Sequence, residues 1–129
     1  MKIIGIDYGT KRVGVAVSDD RGQIAFPKAV LPNDKTLMRD IVALIKSEGA
    51  VEVVVGESKD HNGADNTVAN NIRKFAADLE REANVTLHLE PEFYTTQEVR
   101  QHTGKYLVDA EAAAVILNSF LTKRHGTHD

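Results

Sequence analysis

The fold is decided near the beginning of the chain, by the stretch GIDYGTKRVGVAVSD that runs from Gly5 to Asp19. The stretch follows directly on the apolar residues Ile3 and Ile4, and together with them its first residues predict a buried strand over 2–7. Its second half alternates small residues with three valines, Val13, Val15 and Val17, and this alternation predicts another strand. Only residues 8–11 lie between the two, which is enough for a tight connection. The stretch therefore predicts a β-hairpin.

The rest of the chain extends this hairpin into a larger sheet. Residues 23–31 are extended but contain Pro27, which favours the edge of a sheet over its centre. Apolar spacing then predicts a helix over 37–45, a strand over 51–55, a helix over 68–79, a strand over 85–89, a short helix over 95–101 and a helix over 108–121. The resulting order, βββαβαβαα, predicts an α/β fold with a mixed sheet and helices on both faces.

The composition limits the class of protein. The chain has 129 residues, 42% hydrophobic and 27% charged, which fits one domain over residues 1–124 with a frayed tail over 125–129. It has no cysteine, and this excludes a cysteine-ligated zinc site and a thiol nucleophile. No stretch resembles a signal peptide or a membrane span, so we expect a cytoplasmic protein without a membrane partner. The formal charge of -3 argues against a general nucleic-acid coat protein but not against a nuclease, whose acidic site binds cations first.

Acidic residues stand at three places where such a sheet gathers ligands. Asp7 ends the first strand, Glu90 and Glu92 follow the strand that ends at Leu89, and Asp109 opens the last helix on an apolar face. Each also has a plain structural interpretation, which is a turn for Asp7, a solvated turn for the glutamates and an N-cap for Asp109. Because carboxyl ends of neighbouring strands meet at one crevice, the acids would converge there on a site for hard cations. Two metal ions held by them would activate water and stabilise the leaving oxygen of a phosphodiester.

The stretch from Gly5 to Asp19 also closely resembles the opening motif of the YqgF family, called RuvX as well, which comprises Holliday junction resolvases with an RNase H-like fold. Weaker resemblances follow in the same order along the chain, at Val53–Gly56, at Glu92 with Thr95 and Thr96, and at Val108–Ala110 with Ala112 and Ala113. The middle element departs from the family pattern, because Pro91 stands in place of an Asp and Phe93 in place of an Arg.

The resemblance implies a five-stranded mixed sheet whose first three strands are antiparallel. It implies that Asp7, Glu92 and Asp109 are the catalytic acids and hold Mg²⁺ or Mn²⁺, as two ions, with Glu90 as an alternative to Glu92. It further implies a metal-dependent endonuclease that acts either on branched DNA or on the 5′ end of precursor 16S ribosomal RNA.

The expected partner of the protein is a nucleic acid. Basic residues beside the predicted site are expected to bind the nucleic acid, and these are Lys11, Arg12, Lys59, Arg73, Arg100 and Lys105. We expect a monomer or a weak homodimer, because no apolar stripe is left over once the helices dock.

Two other classes of function are alternatives. One is a catalytically silent nucleic-acid-binding or scaffold domain, which a missing catalytic acid would indicate. Another is the ATP-binding class of sugar kinases, Hsp70 and actin, which shares Asp-x-Gly-Thr at residues 7–10 but needs two domains around a cleft.

Overall fold

The computed structural model describes residues 1–58, 67–92 and 105–126. Its elements in chain order are β1 (Ile3–Tyr8), β2 (Arg12–Ser18), β3 (Ala25–Pro32), α1 (Leu37–Glu48), β4 (Glu52–Ser58), α2 (Thr67–Ala83), β5 (Thr86–Glu92) and α3 (Lys105–Gly126). The short helix predicted over 95–101 lies outside the described residues.

The five strands form one mixed sheet in the order β3-β2-β1-β4-β5. β1 is antiparallel to β2 and β2 to β3, whereas β1 and β4, and likewise β4 and β5, are parallel. This confirms the predicted five-stranded mixed sheet and its three antiparallel strands. Pro27 lies on β3 at the edge, as its missing N–H requires.

Helices cover both faces of the sheet, as predicted. On one face, α1 and α2 pack on the side chains of alternate residues of the central strands, among them Ile4, Ile6, Val53 and Val55. On the other face, α3 packs against the intervening residues. Here Gly5 lets the helix come close, since a Cβ at this position would stand 2.7 Å from the Cβ of Leu117.

Two elements run further than the sequence predicts. α3 begins at Lys105 and ends at Gly126, so the first two residues of the expected tail are helical, and the His125 ring lies 3.1 Å from the carbonyl oxygen of Gly22. Basic residues fill its last turn, where they complement the helix dipole. β5 continues past Leu89, and Pro91 is tolerated in it because this strand pairs with β4 on one side and is the edge of the sheet on the other.

Among the helices described, none is long and apolar enough to cross a bilayer.

Candidate active site

Asp7 lies at the carboxyl end of β1, on the face of the sheet that α3 covers. Side chains alternate along a strand, and Ile3 packs against α3, so Gly5 and Asp7 share that side. Asp7 is buried, with 8% of its surface exposed, and it pairs across the hairpin with Gly14. Because the strand continues to Tyr8, Asp7 belongs to the strand and not to the turn.

Asp109 reaches the same place from α3. It is the fifth residue of the helix and is 4% exposed, so its position is not that of an N-cap. Its carbonyl oxygen lies 1.8 Å from the point where a Cβ on Gly14 would stand, so the helix can approach this closely only over a glycine. Since Gly14 is the strand partner of Asp7, the two acids are neighbours across a single glycine.

Arg12 contacts one of these acids directly. Its Nε donates a hydrogen bond of 2.6 Å to Oδ2 of Asp109. The Asp109 side chain is 5% exposed and that of Arg12 is 35% exposed, so the ion pair joins a buried carboxylate to a cation at the surface. Arg12 lies two residues before Gly14, and hence on the same face of β2.

Glu90 has a different role from the two aspartates. It is 4% exposed, and its Oε2 accepts hydrogen bonds from Ser119 Oγ at 2.9 Å and from Lys123 Nζ at 2.5 Å. Both donors lie on α3, one turn apart, so Glu90 fastens the edge strand β5 to the C-terminal half of that helix. A solvated turn, the plain interpretation of this residue, does not describe it.

Glu92 is the last residue of β5, where it pairs with Ser58. Glu90 of β5 pairs with Gly56 of β4. β1 pairs with β4 as far as Ile6 with Val55, so Asp7, one residue further on, lies level with Gly56 and hence with Glu90. Glu92 therefore lies two residues beyond that level, at a position of the same parity as Glu90. The side chain of Glu92 is outside the described part of the chain.

The structure thus brings together Asp7 and Asp109, and it places the backbone of Glu92 at the same end of the sheet. Within residues 1–58, 67–92 and 105–126 no three acidic or histidine side chains form a metal-binding group. The side chain of Glu92, the third predicted ligand, is not among those described.

The predicted nucleic-acid contacts are spread over several elements. Lys11 is exposed in the hairpin connection, next to Arg12. Arg73 lies on α2, where its Nε is 3.6 Å from Oε2 of Glu57. Lys59, Arg100 and the side chain of Lys105 are outside the described residues. A positive rim around the site remains a prediction.

The C-terminal end of α3 is held by a cluster of three side chains, Glu52, His88 and Arg124. Both terminal nitrogens of the Arg124 guanidinium donate to the carboxylate of Glu52, at 2.8 and 3.1 Å, and the His88 ring lies 2.9 Å from the same group. The hydrogen bonds from Arg124, with a further contribution from His88, lower the pKa of Glu52 to about 2 although burial opposes this. The Arg124 guanidinium also lies 4.6 Å from the ring centre of Phe120. α3 is therefore anchored beyond its contact with the acids.

Three contacts of the site were not predicted from the sequence. A glycine within a strand of alternating valines is typical of a place where another backbone approaches closely, so the contact of Gly14 with another element could have been predicted from the sequence. Nothing in the sequence links Glu90 to Lys123, because the two are 33 residues apart. The ion pair of Arg12 with Asp109 was not predicted, and contact of Arg12 with nucleic acid remains a prediction.

Known proteins are similar to this chain over most of its length. The family model described as "RuvX: Holliday junction resolvase" matches residues 1–123. The chain is 36% identical over 132 residues to a protein of Nitratidesulfovibrio vulgaris named "Putative pre-16S rRNA nuclease", covering 94% of this chain and 93% of that protein. It is also 36% identical over 137 residues to a protein of the same name from Frankia casuarinae, covering 96% of this chain and 68% of the relative.

Solved structures resemble the fold at low sequence identity. The Thermus thermophilus RuvC in complex with a Holliday junction substrate superposes with a TM-score of 0.66 at 17% identity, covering 98% of both chains. The fowlpox virus resolvase, in complex with Holliday junction DNA, superposes with a TM-score of 0.55 at 13% identity, covering 97% of this chain and 99% of the resolvase. These similarities confirm the RNase H-like α/β fold.

Proposed function

Because the chain belongs to the RuvX family of Holliday junction resolvases, we propose that it is a metal-dependent endonuclease that hydrolyses phosphodiester bonds of nucleic acids. Its metal ligands are the carboxylates of Asp7, Glu92 and Asp109, and Mg²⁺ or Mn²⁺ is the cofactor, as a pair of ions. The observation that carries this proposal is the adjacency of two buried aspartates, Asp7 and Asp109, across Gly14.

The residues present fit such ions. Carboxylate oxygens are the hard donors that Mg²⁺ prefers, and Asp7 and Asp109 offer them from rigid elements, a central strand and a long helix. Two buried carboxylates close together repel each other, and cations beside them lower that cost, as Arg12 does for Asp109 and as divalent ions would. Divalent ions bound there would generate a hydroxide-like nucleophile and stabilise the leaving oxygen. The chain itself orients the carboxylates and supplies nearby cations for the phosphate backbone.

For the substrate, we place precursor 16S ribosomal RNA first, because relatives that are 30–36% identical carry the name of a nuclease for that RNA. A four-way DNA junction is the second candidate, supported by the description of the matching family model and by the likeness in fold to RuvC. Either substrate places the protein in the cytoplasm. We propose a monomer or weak homodimer in the absence of substrate, which sedimentation at micromolar concentration tests.

The experiment is a cleavage screen with matched variants. Purified protein is incubated with Mg²⁺ or Mn²⁺ and a precursor ribosomal RNA fragment, a four-way DNA junction or linear duplex DNA. Asp7→Asn should abolish cleavage, because a neutral amide cannot replace an ionised ligand. Asp40→Asn, which alters a half-buried acid of α1 paired with Arg39, is the control and should cleave normally.

A thermal measurement on the same proteins separates a metal site from a structural role. At about 100 times its dissociation constant, a bound ion stabilises the folded state by about 2.7 kcal/mol. Asp7→Asn should reduce this gain from Mn²⁺, while the melting temperature without metal stays the same or rises as repulsion is relieved. Wild-type cleavage by Asp7→Asn, or an unchanged response to Mn²⁺, would reject the site. Tight binding with no cleavage of any substrate would instead indicate a catalytically silent binding domain.

A further inference from the structure

Arg12 occupies a position that the proposed reaction does not explain. The Asp109 side chain that it holds is almost fully buried, and one oxygen, Oδ2, receives a strong charge-assisted hydrogen bond from Nε. A divalent cation held by Asp109 would need electron density from the same carboxylate. The guanidinium and a metal ion therefore compete for the charge of Asp109.

The placement of Arg12 suits a side chain that changes partner. It is the first residue of β2, immediately after the hairpin connection, and a third of its side chain is exposed. Asp109, in contrast, is fixed by the backbone contact of α3 with Gly14. If the pair opens, the arginine is the partner that moves. A guanidinium presents a planar fork of donors that fits two oxygens of a phosphate group.

We propose that Arg12 is an exchangeable counter-charge of the active site. In the metal-free protein it pairs with Asp109 and keeps the carboxylate oriented. When a divalent cation binds, Arg12 leaves Asp109 and contacts a non-bridging oxygen of the substrate phosphate beside the site. This inference rests on the proposed metal site, and it assigns Arg12 a function in two successive states.

The sign of a change in metal affinity tests the exchange. Arg12→Gln removes the competitor, so Mn²⁺ measured by calorimetry in the absence of nucleic acid should bind about fivefold more tightly, the factor expected from losing one modest ion pair. A residue that merely positioned Asp109 would give the opposite result, since its loss would loosen the ligand and weaken Mn²⁺ binding. Unchanged or weaker binding of Mn²⁺ overturns the proposal.

Two further variants separate the contact from the charge. Lys11→Gln removes an exposed positive charge from the neighbouring residue without touching Asp109, so it should alter Mn²⁺ affinity less than about twofold, as expected for an exposed charge. Arg12→Lys keeps the charge, and Mn²⁺ affinity should stay near that of the wild type. If Lys11→Gln raised Mn²⁺ affinity as much as Arg12→Gln does, the gain would come from the loss of any nearby positive charge. That result would overturn the exchange.

The second state is tested with substrate. Fluorescence anisotropy with Ca²⁺ in place of Mg²⁺ should show weaker nucleic-acid binding by Arg12→Gln, although its metal affinity is higher. Undiminished binding overturns the phosphate contact. The Asp109→Asn variant distinguishes failure of this inference from failure of the proposed function. If wild-type and Asp109→Asn proteins bind Mn²⁺ equally well, the metal site itself is wrong and the exchange falls with it.

Discussion

The contact between Gly14 and α3 gives the sharpest prediction about how the acids are held together. An alanine at this position would put its Cβ 1.8 Å from the carbonyl oxygen and 2.3 Å from the carbonyl carbon of Asp109. Carbon atoms in proteins keep at least 3.0 Å from such an atom, so the helix must move away by the difference, at least about 1.2 Å. The obstruction is backbone, and no side-chain rotation can relieve it.

Gly14→Ala should therefore damage both stability and activity. Overpacking of this kind costs about 1–3 kcal/mol of unfolding free energy. A displacement of about 1 Å in a catalytic group lowers the rate by roughly a hundredfold. Because the displaced residue carries one of the proposed ligands, stabilisation by Mn²⁺ should fall as well.

Gly5→Ala is the matched control, since Gly5 lies on β1 under the same helix. There a Cβ would lie 2.7 Å from the Cβ of Leu117 and 3.0 Å from the carbonyl oxygen of Ala113, a smaller overlap that does not involve the backbone of Asp109. Urea unfolding and single-turnover cleavage should show a stability loss in both variants but a large loss of rate only in Gly14→Ala. If Gly14→Ala unfolds and cleaves like the wild type, the close approach of α3 to the hairpin is wrong.

Two further predictions concern the remaining acids. Glu90→Gln should lower stability by about 1–3 kcal/mol, because it weakens the charged hydrogen bond that the buried Glu90 carboxylate accepts from the exposed Lys123, yet it should leave cleavage intact. Glu92→Gln should abolish cleavage with little change in stability. The reverse pattern in unfolding and cleavage assays would make Glu90 the ligand. The pKa of Glu52 is lowered from 4.5 to about 2, chiefly by Arg124, so its stabilising effect is present above about pH 4.5 and is lost as the pH falls towards 2. Glu52→Gln should therefore be less stable than the wild type by about 1–2 kcal/mol at pH 7, after allowance for solvent screening, and the difference in urea unfolding should shrink at pH 3; a difference that does not change with pH would contradict the ion pair.

Much of the fold could be predicted from the sequence because it depends on local spacing. The alternating valines of β2 and the helical spacing of α1 and α2 each fix one element and its buried face. The position of Pro27 places β3 at the edge, and the order of elements then leaves few topologies. What failed was the extent of the elements, as at the ends of α3 and β5. Those ends depend on the helix dipole and on strand pairing, which apolar periodicity does not report.

The candidate site was less accessible to sequence analysis because its contacts are long-range. Asp7 and Asp109 could be singled out as acids at promising places, but their adjacency depends on Gly14, which is remote from Asp109 in the chain. The ion pair of Arg12 with Asp109 spans 97 residues. A charge at such a distance cannot be assigned a partner without the packing of α3.

The choice between Glu90 and Glu92 as the metal ligand depends on packing contacts, because the sequence pattern leaves it open. The two residues are separated by one position, so in an extended strand they share a face and sequence spacing cannot distinguish them. The contacts of Glu90 favour Glu92 as the ligand, since Lys123 and Ser119 of α3 both donate to the Oε2 oxygen of Glu90. A metal ion at Glu90 would have to break the hydrogen bonds from Ser119 and Lys123 that fasten β5 to α3. Glu92, at the end of the strand beyond that fastening, is therefore the glutamate that we assign to the metal.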